Sequence, residues 1–143
     1  MESTPKCLQN YYSLKKVTLN VLASIQDTVN KFEESTTTAR VVILTGNGTY
    51  KGTIITELAT KDDYLVPEGS GHTIDMTIIS EHRNQILLNT EAEGLDVSFV
   101  DNGAFIYLKD VESIPLSTNE NSIKFPYLMI FADQIVGFSL MTE

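Results

Sequence analysis

Apolar residues recur at three- and four-residue steps over residues 13–34 and predict one long helix there. Ser13 is a suitable N-cap, and the polar run that begins at Glu33 ends the helix. The apolar positions form one stripe, which we interpret as the face that packs on the protein's own sheet. Packing on another subunit is the alternative. The stripe comprises Leu14, Val17, Val21, Ile25, Val29 and Phe32, and Leu22 widens it.

A switch to β-branched residues predicts a β-hairpin over residues 40–59. The apolar run 41–44 precedes Gly46-Asn47-Gly48, and Asn-Gly tolerates the positive φ that tight hairpin turns require. Residues 50–56 resume the strand pattern. Gly52 lies inside this second strand and therefore predicts a bend or a bulge.

Residues 60–102 predict an insertion between the second and third strands of the main sheet. Residues 60–72 are rich in charged and chain-breaking residues and are expected to form a loop. The alternation over 74–78 then predicts a strand, followed by a short helix over 80–93 that a glycine ends. A single helix across 74–92 is the alternative.

The last third of the chain returns to a strand pattern. Residues 97–100 lead into an Asp-Asn-Gly turn, and residues 105–111 form a strong strand. Residues 124–131 and 135–140 predict two more strands, separated by Ala-Asp-Gln. The order is helix, hairpin, insertion, hairpin, hairpin, which predicts one mainly β, α+β domain over residues 1–143. Tight turns and curvature favour a small, strongly bent antiparallel barrel.

Composition and charge limit the partners. The 143 residues contain one cysteine, so no internal disulfide can form, as suits a cytoplasmic protein. The chain has no apolar run approaching the roughly 18 residues of a membrane span, and we expect neither a signal peptide nor a membrane partner. The net charge is −9, of which residues 89–143 carry −7. Nucleic-acid binding depends on basic surface, so this charge opposes it.

No arrangement of residues in the sequence indicates catalysis. Cys7 has no histidine near it, and the serines lie in no nucleophile elbow. His72 and His82, with Asp75, are the best candidates for a metal site or a hydrolase centre, but their spacing matches no metal motif. Phosphate-binding glycine motifs are absent from the sequence as well. We therefore predict a protein that is not an enzyme and that holds no cofactor or metal.

Two segments resemble the motifs of the Sm-like family. Residues 42–54 combine an aliphatic strand, a glycine turn, Tyr50, Gly52 and Ile54, which is similar to the first motif of that family. Residues 108–111, Leu-Lys-Asp-Val, resemble its next strand, and residues 130–138 resemble its second motif. The resemblance implies an N-terminal helix followed by a five-stranded Sm-like barrel.

The resemblance also implies an assembly and a ligand. Family members form homo-oligomeric rings, in which the fourth strand of one subunit pairs with the fifth strand of the next, and many bind single-stranded RNA. The corresponding nucleic-acid contacts here would be Lys61, Tyr64 and Gln134. The corresponding oligomer contacts would be Tyr127, Met129, Ile130, Phe131, Ile135, Val136 and Phe138.

A second hypothesis requires no nucleic acid. The helix or the acidic face, which includes Asp110 and Glu112, would dock a partner protein, and a basic partner suits the acidic face best. The protein would then be an interaction or structural module built on the same barrel.

Overall fold

A computed structural model of the chain describes residues 4–9, 13–32, 38–96, 103–115 and 121–142. The described residues form an α+β protein that is mainly antiparallel sheet, as predicted. The predicted strand over 97–100 lies outside them, as do the first two residues of its turn. None of the described helices combines the length and the hydropathy that crossing a membrane requires. In chain order the elements are α1 (Lys6–Gln9), α2 (Leu14–Lys31), β1 (Ala39–Thr45), β2 (Gly48–Ile55), β3 (Leu65–Glu68), β4 (Gly71–Ile74), α3 (Ile78–Ala92), β5 (Phe105–Ile114), β6 (Lys124–Phe131), the 3-10 helix η1 (Ala132–Gln134) and β7 (Ile135–Thr142).

The chain divides into two compact units. The first contains residues 1–13 and 57–102, and therefore α1, β3, β4 and α3. The second contains residues 14–56 and 103–143, and therefore α2 and the other five strands. The first unit holds almost all of the segment that the sequence predicts as an insertion.

The five strands of the second unit form one antiparallel sheet in the order β6-β5-β2-β1-β7. The hairpin of β1 and β2 turns at Gly46 and Asn47, which confirms the predicted hairpin, but none of residues 46–48 has the positive φ that was expected. The hydroxyl oxygen of Thr45 instead accepts the N–H groups of Asn47 and Gly48 and fixes the turn. A closed barrel is not found among the described residues, because β6 pairs with β5 and β7 pairs with β1, each on one side. The two strands therefore form the two edges of the sheet.

Gly52 lies at an irregularity in the pairing of β2 with β5, which confirms the predicted bulge. The register shifts between Lys51 and Thr53, so that β5 has one residue more than β2 at this point. Asp110, on the longer side, has a φ of 52°. A Cβ atom at Gly52 would lie 3.0 Å from the backbone oxygen of Lys109, so the close approach of the two strands requires glycine here.

The core of the second unit lies between one face of the sheet and α2. Aliphatic side chains of β1, β2 and β5 alternate into it, since residues two apart along a strand share a face. The helix contributes Leu19, Leu22 and Ala23, and η1 contributes Ala132. The buried strand residues of this cluster are Val41, Ile43, Ile54, Ile106, Leu108, Val111, Ile130 and Ile135.

The prediction for the packing face of α2 is wrong. The buried residues of the helix are Leu19, Leu22, Ala23 and Gln26, whereas the longer apolar stripe faces outwards. Leu14, Val17, Val21, Ile25 and Phe32 of this stripe are exposed, whereas Val29 is half-buried and Leu22, which widens the stripe, is buried. The helix has two apolar faces, and the shorter one packs on the sheet because its small and medium side chains allow the helix to approach closely.

Two side-chain amides of α2 replace strand pairing where β1 and β2 separate. Gln26 accepts a hydrogen bond from the backbone N–H of Ile54 (2.9 Å) and donates one to its carbonyl oxygen (3.1 Å). One helical turn later, Asn30 makes the same two bonds with Ala39, at 2.7 and 3.1 Å. Spacing of four residues places both amides on one face of the helix. Backbone groups that have no strand partner are thereby satisfied.

In the first unit, the boundaries predicted for 60–94 are wrong in three places. Part of the predicted loop is a two-stranded hairpin, β3 with β4, and the strand expected over 74–78 ends at Ile74. The following helix begins at Ile78 with Thr77 at the N-cap position, before the predicted Ser80. The side chain of Asp75 explains the earlier start, because it accepts hydrogen bonds from the N–H and the hydroxyl of Thr77 and fixes the first turn.

Candidate interaction site

The two edges of the five-stranded sheet are the candidate interaction site. In an edge strand, alternate backbone N–H and C=O groups point away from the sheet and are available to another strand. Strands β6 and β7 each contain eight residues. Pro126 has no N–H and lies near the start of β6, as prolines in sheets do at edges. The rest of β6, residues 127–131, keeps its donors.

The most exposed of the predicted oligomer contacts lie at the beginning of β7 and at the end of β6. Val136 is 75% exposed, Phe131 is 48% exposed and Phe138 is 42% exposed. Large apolar side chains with this exposure on an edge strand favour association of the edge with another protein surface. Met141, which the sequence did not single out, is also exposed near the end of β7.

The remaining predicted oligomer contacts lie further inside the fold. Ile130 and Ile135 are buried in the core next to η1, so their side chains support the edge from within. Tyr127 and Met129 are half-buried and lie opposite Lys109 and Tyr107 of β5. Contact of any of these residues with a second subunit stays a prediction.

Aromatic rings fix the end of β6 against β5. The ring of Phe105 meets that of Phe131 edge-on at a centroid distance of 6.1 Å, and that of Tyr107 at 5.1 Å. Phe105 and Phe131 are direct cross-strand partners. Edge-to-face pairs of this kind add stability beyond the area they bury, so β6 is held in place up to its last residue.

The three predicted nucleic-acid contacts belong to different units. Lys61 is exposed in a turn of the first unit, and Tyr64 is half-buried in the same segment. The ring of Tyr64 lies edge-on to that of His82, with centroids 6.5 Å apart. The backbone carbonyl oxygen of Tyr64 accepts a hydrogen bond from the N–H of Asp75. Gln134 is exposed in η1 of the second unit. Binding of nucleic acid by these residues stays a prediction.

Two of the three candidate metal ligands, His82 and Asp75, make other contacts. His72 is exposed on β4 and His82 on α3. The carboxylate of Asp75 is hydrogen-bonded to Thr77, whose hydroxyl oxygen accepts the N–H of Ala59 at 2.6 Å. Within the part of the chain that the structure describes, no group of three or more His, Cys, Asp or Glu side chains could hold a metal ion.

The sequence did not predict a contact between Glu91 and α1. The Glu91 carboxylate accepts the backbone N–H groups of Lys6 (3.1 Å) and Cys7 (3.0 Å) at the start of that helix. The N–H of Cys7 is the main cause that lowers the pKa of Glu91. Partial burial raises the pKa of the Cys7 thiol, and the hydrogen bond and charge of Glu91 raise it further. A thiol with a raised pKa is a poor nucleophile at neutral pH.

No known protein family, curated protein or solved structure matches this chain. The geometry of the two sheet edges is therefore the main structural guide to function.

Proposed function

We propose that the protein is a non-enzymatic, Sm-like assembly protein whose copies associate by pairing the β6 edge of one subunit with the β7 edge of the next. The order of the five-stranded sheet carries this proposal. Its fourth strand in the chain, β6, and its fifth, β7, lie at opposite edges. This is the arrangement that the resemblance to the Sm-like family leads us to expect, with α2 preceding the sheet.

The physical chemistry of the edges supports the same interpretation. Both edges carry backbone donors, backbone acceptors and exposed apolar side chains, so a monomer would be prone to aggregate through them. Pairing the two edges between subunits removes this tendency. An interface between two different edges is head-to-tail, so repetition produces a closed ring if the rotation between subunits closes. A non-closing rotation would produce a filament.

The net charge supports assembly over the RNA-binding part of the family's function. The second unit contains both edges and carries seven basic and eight acidic residues, whereas the first unit carries three basic and eleven acidic residues. Counterion release from phosphates, which supplies most non-specific nucleic-acid affinity, needs clustered cations. We therefore propose self-assembly through the nearly neutral second unit as the primary function, with a basic protein as the ligand that suits the acidic first unit better than RNA does.

Lysine substitutions at the β7 edge test the proposal. The double variant Val136→Lys with Phe138→Lys should reduce the mass measured by light scattering at about 50 µM, because lysines on an edge strand oppose strand pairing. Ile114→Lys is the matched control. Ile114 is 42% exposed, as Phe138 is, but it lies on β5, which pairs with β2 and with β6 and is not an edge.

Two results would overturn the proposal. A wild-type protein that is monomeric at 50 µM excludes assembly, and an equal effect of the control and the edge variant excludes the β7 edge. The absorbance ratio at 260 and 280 nm of the same sample measures co-purifying nucleic acid. A protein-like ratio and no retention of oligo-U at low salt are expected, whereas salt-dependent retention would restore the RNA hypothesis.

A further inference from the structure

The turn between β1 and β2 contains two residues that can react with each other. Asn47 is exposed in this turn, and Gly48 follows it as the first residue of β2. An asparagine before a glycine brings its side-chain carbonyl carbon next to a backbone nitrogen that no neighbouring Cβ atom shields. Attack of the Gly48 nitrogen on Cγ of Asn47 closes a cyclic imide. The only other Asn-Gly pair of the sequence is Asn102-Gly103.

The reaction is a cyclisation followed by a hydrolysis. Hydroxide takes the proton of the Gly48 nitrogen, the nitrogen attacks Cγ of Asn47, and the Cγ–Nδ2 bond breaks. Nδ2 leaves as ammonia with a proton from water, and the cyclic imide remains. Water then opens the ring on either side of the nitrogen, so that cleavage at Cγ gives aspartate and cleavage at the backbone carbonyl carbon gives isoaspartate. The side-chain amide becomes a carboxylate in both products, and water is the only co-reactant.

The side chain of Thr45 opposes this attack. Its Oγ1 accepts the N–H of Gly48 at 3.1 Å and the N–H of Asn47 at 3.3 Å, and its hydroxyl donates to the carbonyl oxygen of Gly48 at 2.9 Å. The first of these bonds keeps hydroxide from the proton that must leave the Gly48 nitrogen. Together the three bonds fix the peptide unit between Asn47 and Gly48, so the nitrogen cannot turn towards the Asn47 side chain.

The strand pairing fixes the same peptide unit. Thr45 and Gly48 are direct partners at the end of the ladder between β1 and β2. Rotation about the Cα–C bond of Asn47, which brings the Gly48 nitrogen to the side chain, therefore requires this last pair and the three Thr45 bonds to open together. Local opening of a hairpin end costs less free energy than unfolding of the whole unit. The rate of conversion at Asn47 therefore follows how often the end of the hairpin opens.

The packing around the turn does not add a second obstacle. A Cβ atom at Gly46 would meet nothing within 4 Å, and a Cβ atom at Gly48 would meet the Tyr50 hydroxyl first, at 3.8 Å. We propose that Asn47 is a site of spontaneous deamidation and that the Thr45 hydroxyl sets its rate, so that the modification proceeds when the end of the hairpin opens. This inference is independent of the pairing of β6 with β7, because it concerns the turn between two inner strands of the sheet.

The products differ from the original chain in charge and in backbone length. Each product adds one carboxylate to a chain whose net charge is already −9. Isoaspartate also adds a CH2 group to the backbone of the turn, which moves Thr45 and Gly48 out of register. The modified hairpin should therefore be less stable than the original one. No group of the chain reverses the hydrolysis, so the modified form should accumulate with the age of the purified protein.

The test is the rate of Asn47 conversion at about pH 9, followed by mass spectrometry of the proteolytic peptide that contains it. Thr45→Val keeps the β-branched shape and removes the hydroxyl, and it should raise the rate on the order of tenfold, because the bonds that hold the Gly48 nitrogen are lost. Thr45→Ser keeps the hydroxyl and should react as slowly as the wild type. The contrast between the two variants separates the hydroxyl from the effect of any change at this position.

Two further variants control for the nucleophile and for stability. Gly48→Ala places a Cβ atom beside the attacking nitrogen without a close contact in the folded hairpin, so conversion should be several-fold slower than in the wild type. Thr53→Val makes the same substitution as Thr45→Val further along β2 and should leave the rate unchanged. Far-UV circular dichroism and the urea midpoint show whether each variant is folded, and the urea-unfolded wild type gives the rate of the unprotected pair.

Three outcomes would overturn the inference. Equal rates for Thr45→Val and Thr45→Ser would remove the role of the hydroxyl. Conversion of Gly48→Ala as fast as that of the wild type would remove the Gly48 nitrogen as the nucleophile. An Asn47 that stays unmodified in folded Thr45→Val, under conditions that convert the urea-unfolded chain, would show that something other than Thr45 protects the site.

Discussion

Replacement of Gln26 by leucine should destabilise the second unit strongly, although leucine is apolar and similar in size. Gln26 is fully buried, and its amide is the hydrogen-bond partner of both backbone groups of Ile54. Each buried backbone group that loses its partner costs about 1–3 kcal/mol. The leucine side chain regains about 1–2 kcal/mol by burial. Loss of both partners costs about 2–6 kcal/mol, so the middle of these ranges gives an expected net loss of about 2–3 kcal/mol.

The assay is urea denaturation followed by far-UV circular dichroism at one fixed protein concentration, since self-association would shift the midpoint. With an m-value of roughly 1–3 kcal/mol/M, the midpoint of Gln26→Leu should fall by about 1–2 M. Gln134→Leu is the matched control, because Gln134 is exposed in the same unit, and its free energy of unfolding should change by less than about 0.5 kcal/mol. Equal midpoints for Gln26→Leu and the wild type would refute the assigned role of the amide.

Two further predictions concern single positions. Gly52→Ala should cost about 1–3 kcal/mol in urea denaturation, because its Cβ would lie 3.0 Å from the Lys109 backbone oxygen. Glu91→Gln should lower the pKa of the Cys7 thiol and speed its alkylation at pH 8, since the carboxylate contributes to the raised pKa. The pKa of the Glu91 carboxyl is lowered from its usual 4.5. The carboxylate therefore stabilises the start of α1 fully above pH 4.5, and this stabilisation is lost as the pH falls through the lowered pKa. Hydrogen exchange of the Cys7 amide, measured against pH, follows this loss.

Controls for these predictions exist in the same chain. A Cβ at Gly46 meets nothing within 4 Å, so Gly46→Ala should leave the urea midpoint within experimental error. Glu93→Gln removes a neighbouring exposed carboxylate and should leave the thiol reaction rate unchanged. Contrary evidence would be a Gly52→Ala protein as stable as Gly46→Ala, or equal alkylation rates for the two glutamine variants.

The hairpin features were predictable because they are local. The cluster Gly46-Asn47-Gly48 between two strand patterns indicates a turn, and the turn is found at Gly46 and Asn47, although without the positive φ expected there. A glycine inside a strand pattern predicts a close approach of a neighbouring strand even when the partner residue is not known, and in β2 that neighbour is β5. The Ala-Asp-Gln break before β7 is likewise found, as η1.

The packing face of α2 was not predictable from periodicity. Periodicity detects apolar stripes, but it does not tell which of two stripes faces the sheet. The longer stripe contains larger residues, yet the buried face is built from Leu19, Leu22, Ala23 and a glutamine. Gln26 reads as a surface residue in the sequence. Its burial depends on the backbone of Ile54, a contact across 28 residues that no local pattern contains.

The candidate site was only partly predictable, because strand patterns are local and strand order is not. The strand patterns placed β6 and β7 in the sequence, but only the resemblance suggested that these two strands would be edges. The hairpin of β3 and β4 had no signal, because Pro67 and the polar residues around it read as loop while a two-stranded ribbon tolerates both.

Native mass spectrometry of the wild type beside the Val136→Lys, Phe138→Lys variant tests the central claim most directly. The claim is that the β6 and β7 edges pair between subunits. It predicts wild-type species of more than two 15.9 kDa chains and a variant that is mainly a single chain. Identical mass distributions for the two proteins, or a wild type found only at 15.9 kDa, would contradict it.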